Sequence, residues 1–561
     1  MKSYDITPFE FVPERDLPAF KVLFLDGTHS VPPWKPMNGW LWANHCTHGL
    51  EWACAQLSLP TLKGLSFRLH NGGGYIGIYL NEDEEEIQAR DEKFRQNLIP
   101  FLEDYDGKWQ EAVAEMLGHY ADLKKTNLDT CTDVELLKAF DDSLEVYKRQ
   151  WELHFLYMYV VFGVFILFEQ VCKEWLGIDD TTPEFHKLMA GYDNKIFQID
   201  REMWKFSKLA AELGLSDIIL SSNSDDYVEH LNKHPNGPAF LSQLNAFLDV
   251  EGWRGSGCDI TVPLWVENPR APLVVIKQFL TKGGDFSLDA ERARLEVERQ
   301  VLEAKYLAEL PEERRDYFQT IMQLAQKSGN FSEEHNQYFD LYAHAMVRRA
   351  CLGMGRWFVK NGTFDDVDDI FYLNPDEVRL AALVPDRVDY HALVARRRAE
   401  YAEWCANENP PILGDLPFEE AMGILIRSQD SIMLKVVVGA FPVEKPELKA
   451  DLYGVSGSPG VAEGVARLVM SERDLNDLQP GEILVAPATY PSWTPVFGMI
   501  KAVVVDRGAS LSHAAIVGRE YGIPVVMNTF EGSKKIKSGM RIRVDGDTGV
   551  VYFLDGDGAA A

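Results

Sequence analysis

Between Ala502 and Pro524 a strand, a loop and a helix follow one another closely. The β-branched run Ala502–Val505 gives way to a glycine-containing loop, and Ser512-His513-Ala514-Ala515-Ile516 opens a segment that Gly522 and Pro524 stop. Such a unit needs neighbouring strands, and Ile483 to Ala486, Pro524 to Met527 and Gly549 to Leu554 supply them. All lie beyond Phe441-Pro442-Val443-Glu444-Lys445-Pro446, where two prolines and charged residues interrupt the preceding pattern. The sequence predicts a linker over 441–453 and a compact α/β domain over 454–561.

Ahead of that boundary the pattern changes. Short apolar runs with Pro32-Pro33, Gly39 and Gly72-Gly73-Gly74 predict strands and turns, so 1–80 is expected to be mixed α/β. Over 81–440, stretches such as Leu288 to Ala325 and Tyr338 to Lys360 carry apolar residues at three-to-four spacing and predict helices. The apolar run Phe155 to Phe168 is shorter than the ~20 residues that cross a bilayer and is expected to be a buried helix. A chain of 561 residues exceeds one core, and its 46% hydrophobic and 25% charged residues suit several globular domains.

A formal net charge of −30 opposes general affinity for nucleic acid or anionic membranes. Seven cysteines are scattered without a C-x-x-C pair, and Met1-Lys2-Ser3-Tyr4-Asp5 opens no apolar signal core. A cytoplasmic location is expected. His45, Cys46 and His48 offer too few ligands at too irregular a spacing for zinc, so no metal is assigned. The acidic run Glu82 to Glu86 reads as a solvated helix start, and Asp555 to Ala561 as a frayed tail.

With Ser512 expected to cap the helix, His513 falls where unpaired backbone N–H groups and the positive helix end stabilise an anion. A neutral imidazole is also a nucleophile at physiological pH, and a transient P–N bond divides one difficult transfer into two. By position alone a histidine at a helix start is more often a capping or packing residue than a catalytic one.

The surrounding stretch resembles the phosphohistidine swivelling domain of phosphoenolpyruvate synthase, pyruvate phosphate dikinase and related phosphotransferases. Their pattern is a Gly-rich loop, Ser/Thr-His-Ala-Ala-Ile, Arg-Glu and Gly-Ile-Pro, met here from Gly508 to Pro524. The likeness extends through Gly454 to Gly460, Pro491 to Pro495 and Val544 to Gly549. It implies that His513 is phosphorylated, with Ser512, Gly508 and Arg519 as its immediate setting.

A second set of segments resembles the acceptor-binding region of the same family: Gly252-Trp253-Arg254-Gly255, Asp259 and Pro263 to Pro269, then Glu334 to Phe339, Arg348 to Arg356 and Asp368 to Leu373. Arg68 to Tyr75 resembles its opening segment. No P-loop and no ATP-grasp region is recognisable, which resembles the divided phosphotransferases that phosphorylate phenol or cresol. This implies a separate ATP-binding subunit, with Mg2+ arriving on its ATP, and a small phenolic acceptor, such as phenol or para-cresol, giving an aryl phosphate, AMP and phosphate.

Trp40, Trp42, Trp52, Trp151, Phe155, Tyr157, Tyr159 and Trp265 are candidate pocket walls, most of them expected in the core. Arg68, His154, Arg254, Asp259 and His335 are the candidate acceptor-side residues. His154 reads equally as a core imidazole, His335 as a helix start, and Arg254 as one half of a structural pair with Asp259. The expectation is a multidomain α+β protein, with a mainly helical acceptor-binding region behind a small mixed part and a phosphohistidine swivelling domain at its end. Pyruvate, an antibiotic or another alcohol is the alternative acceptor, and a noncatalytic binding protein the alternative class.

Overall fold

The computed structural model describes residues 9–554 apart from 28, 31, 181, 194, 223–225, 256, 283–287, 418–419, 422, 425–446, 471, 491–492 and 509. The expected linker therefore lies partly outside the described residues, and the tail Asp555 to Ala561 wholly so. The chain divides into two compact units: Met1–Val160, Cys258–Pro263 and Tyr338–Asp430 form unit one, and Val161–Gly257, Leu264–Gln337 and Ser431–Ala561 form unit two. The sequence reading kept 1–440 together. The fold instead groups helices from its middle with the C-terminal domain, because they share a core: Phe197 packs among Trp493, Phe497, Ala514 and Tyr521.

Unit one holds a four-stranded antiparallel sheet of β1 (Leu23–Leu25), β2 (Leu62–His70), β3 (Gly73–Leu80) and β4 (Ile412–Leu413), in the order β2-β3-β1-β4. The β2–β3 hairpin turns at Asn71 and Gly72, whose φ values of 49° and 69° are the left-handed pair that a two-residue turn requires. A Cβ on Gly74 would stand 2.3 Å from the Trp34 ring, so glycine lets the indole lie against β3.

The helix Pro36–Leu41 passes through a π-turn, Trp42–Cys46, into the helix Thr47–Leu57. A second π-turn, Asn336–Leu341, precedes the helix Tyr342–Lys360. Each widened turn redirects its side chains relative to the flanking helix, a device frequent at functional sites. The acidic run opens the helix Glu84–Glu103, where Asp83 accepts from the Glu85 and Glu86 amides at 3.0 and 3.1 Å.

Unit two combines helices with an eight-stranded sheet. Its strands are β5 (Leu452–Tyr453), β6 (Val455–Ser458), β7 (Val461–Leu468), β8 (Ile483–Ala486), β9 (Ala502–Val505), β10 (Val525–Met527), β11 (Arg541–Asp545) and β12 (Val550–Phe553). The order is β5-β12-β11-β7-β8-β9-β10-β6, with β7 to β10 parallel and the rest antiparallel. β8 and β9 are buried along their whole length, as the continuous apolar runs of a doubly covered parallel sheet must be.

The run Phe155 to Phe168 falls within the helix Asp133–Leu176. This helix is long and apolar enough to cross a membrane by length and composition, yet 78% of its apolar window is buried in the protein, the pattern of a core helix.

Candidate active site

β9 ends at Val505, and the chain turns past Gly508, whose amide donates to Asn528 Oδ1 at 2.9 Å, before the helix His513–Tyr521 begins. Ser512 takes the extended N-cap conformation, φ −79° and ψ 159°, but its hydroxyl makes no capping hydrogen bond. Ser512 Oγ lies instead 3.9 Å from Met527 Sδ, which corrects the expected side-chain cap. The Ser512 side chain thus leaves the helix-start amides to an anion.

His513 is held at both ring nitrogens. Thr489 Oγ1 lies 2.8 Å from Nδ1 and Thr494 Oγ1 2.9 Å from Nε2, while Phe497 meets the ring edge-on at 5.6 Å. A neutral imidazole donates through one nitrogen and accepts through the other, and the two hydroxyls rotate to match. Burial first, and then the positive charge of Arg254, pushes the His513 pKa down to about 3. The imidazole is therefore neutral, with a lone pair for phosphorus.

The helix is tied down inside unit two by its last residues. Glu520 Oε2 accepts from the Gly191 and Tyr192 amides at 2.9 and 3.0 Å, and the Tyr521 hydroxyl donates to Asp200 Oδ2 at 2.7 Å. Arg519 donates to the Gly457 and Ser510 carbonyls at 3.1 and 2.6 Å, and stands 3.3 Å from His186 Nδ1. Ser510 donates to Asp180 at 2.8 Å. Arg519 thus braces the loop before His513.

Arg254, 1% exposed, lies over the Trp265 ring at 4.7 Å, and Trp265 donates its amide to the Arg254 carbonyl at 2.9 Å. Its charge acts on His513 and on two buried carboxyls, Asp200 and Glu333. Burial raises Asp200 to about 7, against the Tyr521 hydrogen bond and Arg254. It raises Glu333 to about 8 against Arg254, with Glu520 and Asp200 adding to the rise. Burial also lifts Glu520 to about 7, against the Tyr192 and Gly191 amides.

The other sequence candidates separate. His335 shares unit two with His513 and Arg254; its Nδ1 lies 2.9 Å from the Phe331 carbonyl and its ring stacks on Phe331 at 4.7 Å. Arg68, His154 and Asp259 belong to unit one. Arg68 pairs with Asp16 at 2.7 Å and donates to Ser66 and the Phe67 carbonyl, so its guanidinium braces β2. His154 Nδ1 lies 2.9 Å from Asp340. Asp259 accepts from the Thr261 amide at 2.8 Å, and burial raises its pKa. Of the possible zinc ligands, His45 packs edge-on against Trp40 and Tyr147, whereas His48 pairs with Glu152 at 2.8 Å.

The sequence reading missed Thr489 and Thr494, although Thr494 stands in the quoted Pro491 to Pro495 segment, and it missed Asp200, Glu333 and Glu520. In unit one it passed over Asp26 and His29.

Residues 478–549 match the mobile domain of PEP-utilising enzymes, and residues 154–334 match the fourth domain of rifampicin phosphotransferase. Chondramide synthase cmdD of Chondromyces crocatus is 31% identical over 484 residues, 84% of this chain and 12% of that protein. An uncharacterized phosphotransferase of Bacillus subtilis (strain 168), YvkC, is 27% identical over 490 residues, 86% of this chain and 56% of its own. A rifampicin phosphotransferase of Streptomyces sp is 31% identical over 392 residues, 68% of this chain and 42% of that protein. The chain thus spans between 12% and 56% of these relatives' lengths. His513 lies inside the first match and Arg254 and Glu333 inside the second, so the chain is similar to the mobile domain of PEP-utilising enzymes over 478–549 and to the fourth domain of rifampicin phosphotransferase over 154–334.

Proposed function

We propose that this chain is the phosphohistidine-carrying part of a phosphotransferase. A nitrogen of His513 attacks the β-phosphorus of ATP bound outside these 561 residues, on a separate ATP-binding subunit that brings Mg2+ with its nucleotide. The P–N bond forms as the bond between the α–β bridging oxygen and the β-phosphorus breaks. Water then takes the γ-phosphoryl group, so AMP and phosphate leave. An acceptor hydroxyl next attacks phosphorus, and the P–N bond breaks. The observation that carries this reading is the half-buried His513 at a helix start, its two ring nitrogens 2.8 and 2.9 Å from threonine hydroxyls.

For the acceptor we propose an aromatic hydroxyl, with phenol and para-cresol as the smallest cases. The rifampicin phosphotransferase relatives favour a second reading, the hydroxyl of a larger antibiotic. Incubation with a candidate ATP-binding partner, Mg2+ and β-labelled ATP tests the relay. Acid-labile label is expected on the wild type and none on His513→Ala. A wild type that stays unlabelled with a partner proven to bind ATP would overturn it, and transfer from the labelled chain to para-cresol, rifampicin or pyruvate ranks the acceptors.

A further inference from the structure

Unit one contains a second built histidine. His29 sits in the turn after β1, with Nδ1 at 2.9 and 3.1 Å from the two oxygens of Asp26, itself 6% exposed. The turn is locked from several sides. The His29 amide donates to Asp26 Oδ1 at 3.1 Å, Ser30 Oγ donates to the Asp26 carbonyl at 2.7 Å, and Trp34 Nε1 donates to the His29 carbonyl at 2.7 Å. The imidazole lies 5.0 Å from the Trp42 ring, which is stacked on Trp34 and met edge-on by Trp151.

This is the arrangement that makes a histidine a base. The carboxylate accepts the Nδ1–H hydrogen bond, fixes the tautomer and leaves Nε2 as the basic nitrogen. His154 forms a similar pair with Asp340, and accessibility separates the two: 44% of the His29 side chain is reachable, against 13% of His154. Burial lowers the His29 pKa, but Asp26, by charge and hydrogen bond, and then Asp340 bring it above the ordinary value. His344, which feels the His29 charge, is held neutral at about 4 by burial. Burial and the same carboxylates push the Cys46 and Cys258 thiols well up, so neither competes as a base.

We propose that Asp26 and His29 form the general-base pair of an aryl-hydroxyl acceptor site in unit one. The transfer role rests on the phosphotransferase reading above; the proton-accepting site does not. The acceptor O–H gives its proton to His29 Nε2 while its oxygen forms the O–P bond; the phosphohistidine P–N bond breaks and its electron pair returns to the imidazole. The proton then leaves His29 for solvent. A phenolic hydroxyl, with a pKa of about 10, suits an imidazole base far better than an aliphatic one. Asp26 is a positioning residue.

Two measurements test the proposal. 4-Nitrophenol, whose anion absorbs visibly, is added at a pH where free dye is protonated. Wild type is expected to raise the anion band, and His29→Gln and Asp26→Asn to lose it. In the transfer assay, His29→Gln is expected to accept label on His513 as wild type does but to pass it to para-cresol ~10²–10⁴-fold more slowly. Asp26→Asn is expected to move the acid limb of the transfer pH profile to lower pH. No anion band on wild type, or wild-type transfer by His29→Gln, would overturn the proposal. A band on a wild type that never takes label would retain the aryl-hydroxyl site and sink the relay alone.

Discussion

At the scale of single residues, the two threonines around His513 set a constraint on chemistry. A ring hydrogen-bonded at both nitrogens must release one hydroxyl before it attacks phosphorus, while the other keeps it aimed. Thr489→Val and Thr494→Val should therefore differ. The variant at the non-reacting nitrogen should take label about 2- to 10-fold more slowly, in keeping with a net ~0.5–1.5 kcal/mol hydrogen bond, and the variant at the reacting nitrogen no more slowly than wild type. Rapid-quench labelling, with NMR identification of the phosphorylated nitrogen, checks this; equal effects would contradict it. Arg254 acts at a distance on the same ring. Arg254→Met removes a positive charge that lowers the His513 pKa, so the imidazole should titrate at higher pH than in wild type by NMR. An unmoved titration would assign the depression to burial alone.

At the scale of elements, the His513 helix lies on the sheet with little clearance. A Cβ on Gly518 would stand 2.3 Å from Val525 Cγ2, a methyl of a fully buried strand. Gly518→Ala should destabilise unit two by about 1–3 kcal/mol through overpacking, read as a lower urea midpoint with unchanged slope. This element was legible in the sequence because its signals are local: the strand run, Gly508, the extended residue before His513, and Gly522, whose φ is 63°. The Ser512 side-chain cap failed because its hydroxyl faces Met527, a contact from another strand. Thr489, Asp200 and Glu333 were illegible for the same reason, since each belongs to the site only through tertiary packing. The two π-turns were hidden because an apolar repeat of three to four does not reveal one extra residue. His29 carried no pattern beyond an isolated histidine after a strand.

At the scale of the whole fold, unit two buries three carboxyls whose pKa values stand near 7 (Asp200), 7 (Glu520) and 8 (Glu333), all raised first by burial. The folded state then holds protons that the unfolded state has released, so their contribution is full below about pH 4 and is lost as pH rises through 7 to 8. His513 works in the opposite sense: with its pKa lowered to about 3, it costs stability in acid, and that cost vanishes as pH rises to about 6.5. Between pH 6.5 and 8 the carboxyl contribution outweighs that of His513, and each carboxyl should lower the stability of unit two by at most about 1.4 kcal/mol per pH unit. Urea midpoints at pH 6.5, 7.2 and 8 measure the slope. Glu333 supplies the control, because neither of its carboxyl oxygens has a hydrogen-bond partner among the described residues. Glu333→Gln keeps the shape and removes the charge, so it should match wild type within about 1 kcal/mol at pH 6.5, exceed it at pH 8, and flatten the slope. A wild-type stability that stays level or rises across this window would mean that these carboxyls ionise in place, with their charges met by groups the burial of Asp200, Glu333 and Glu520 does not suggest.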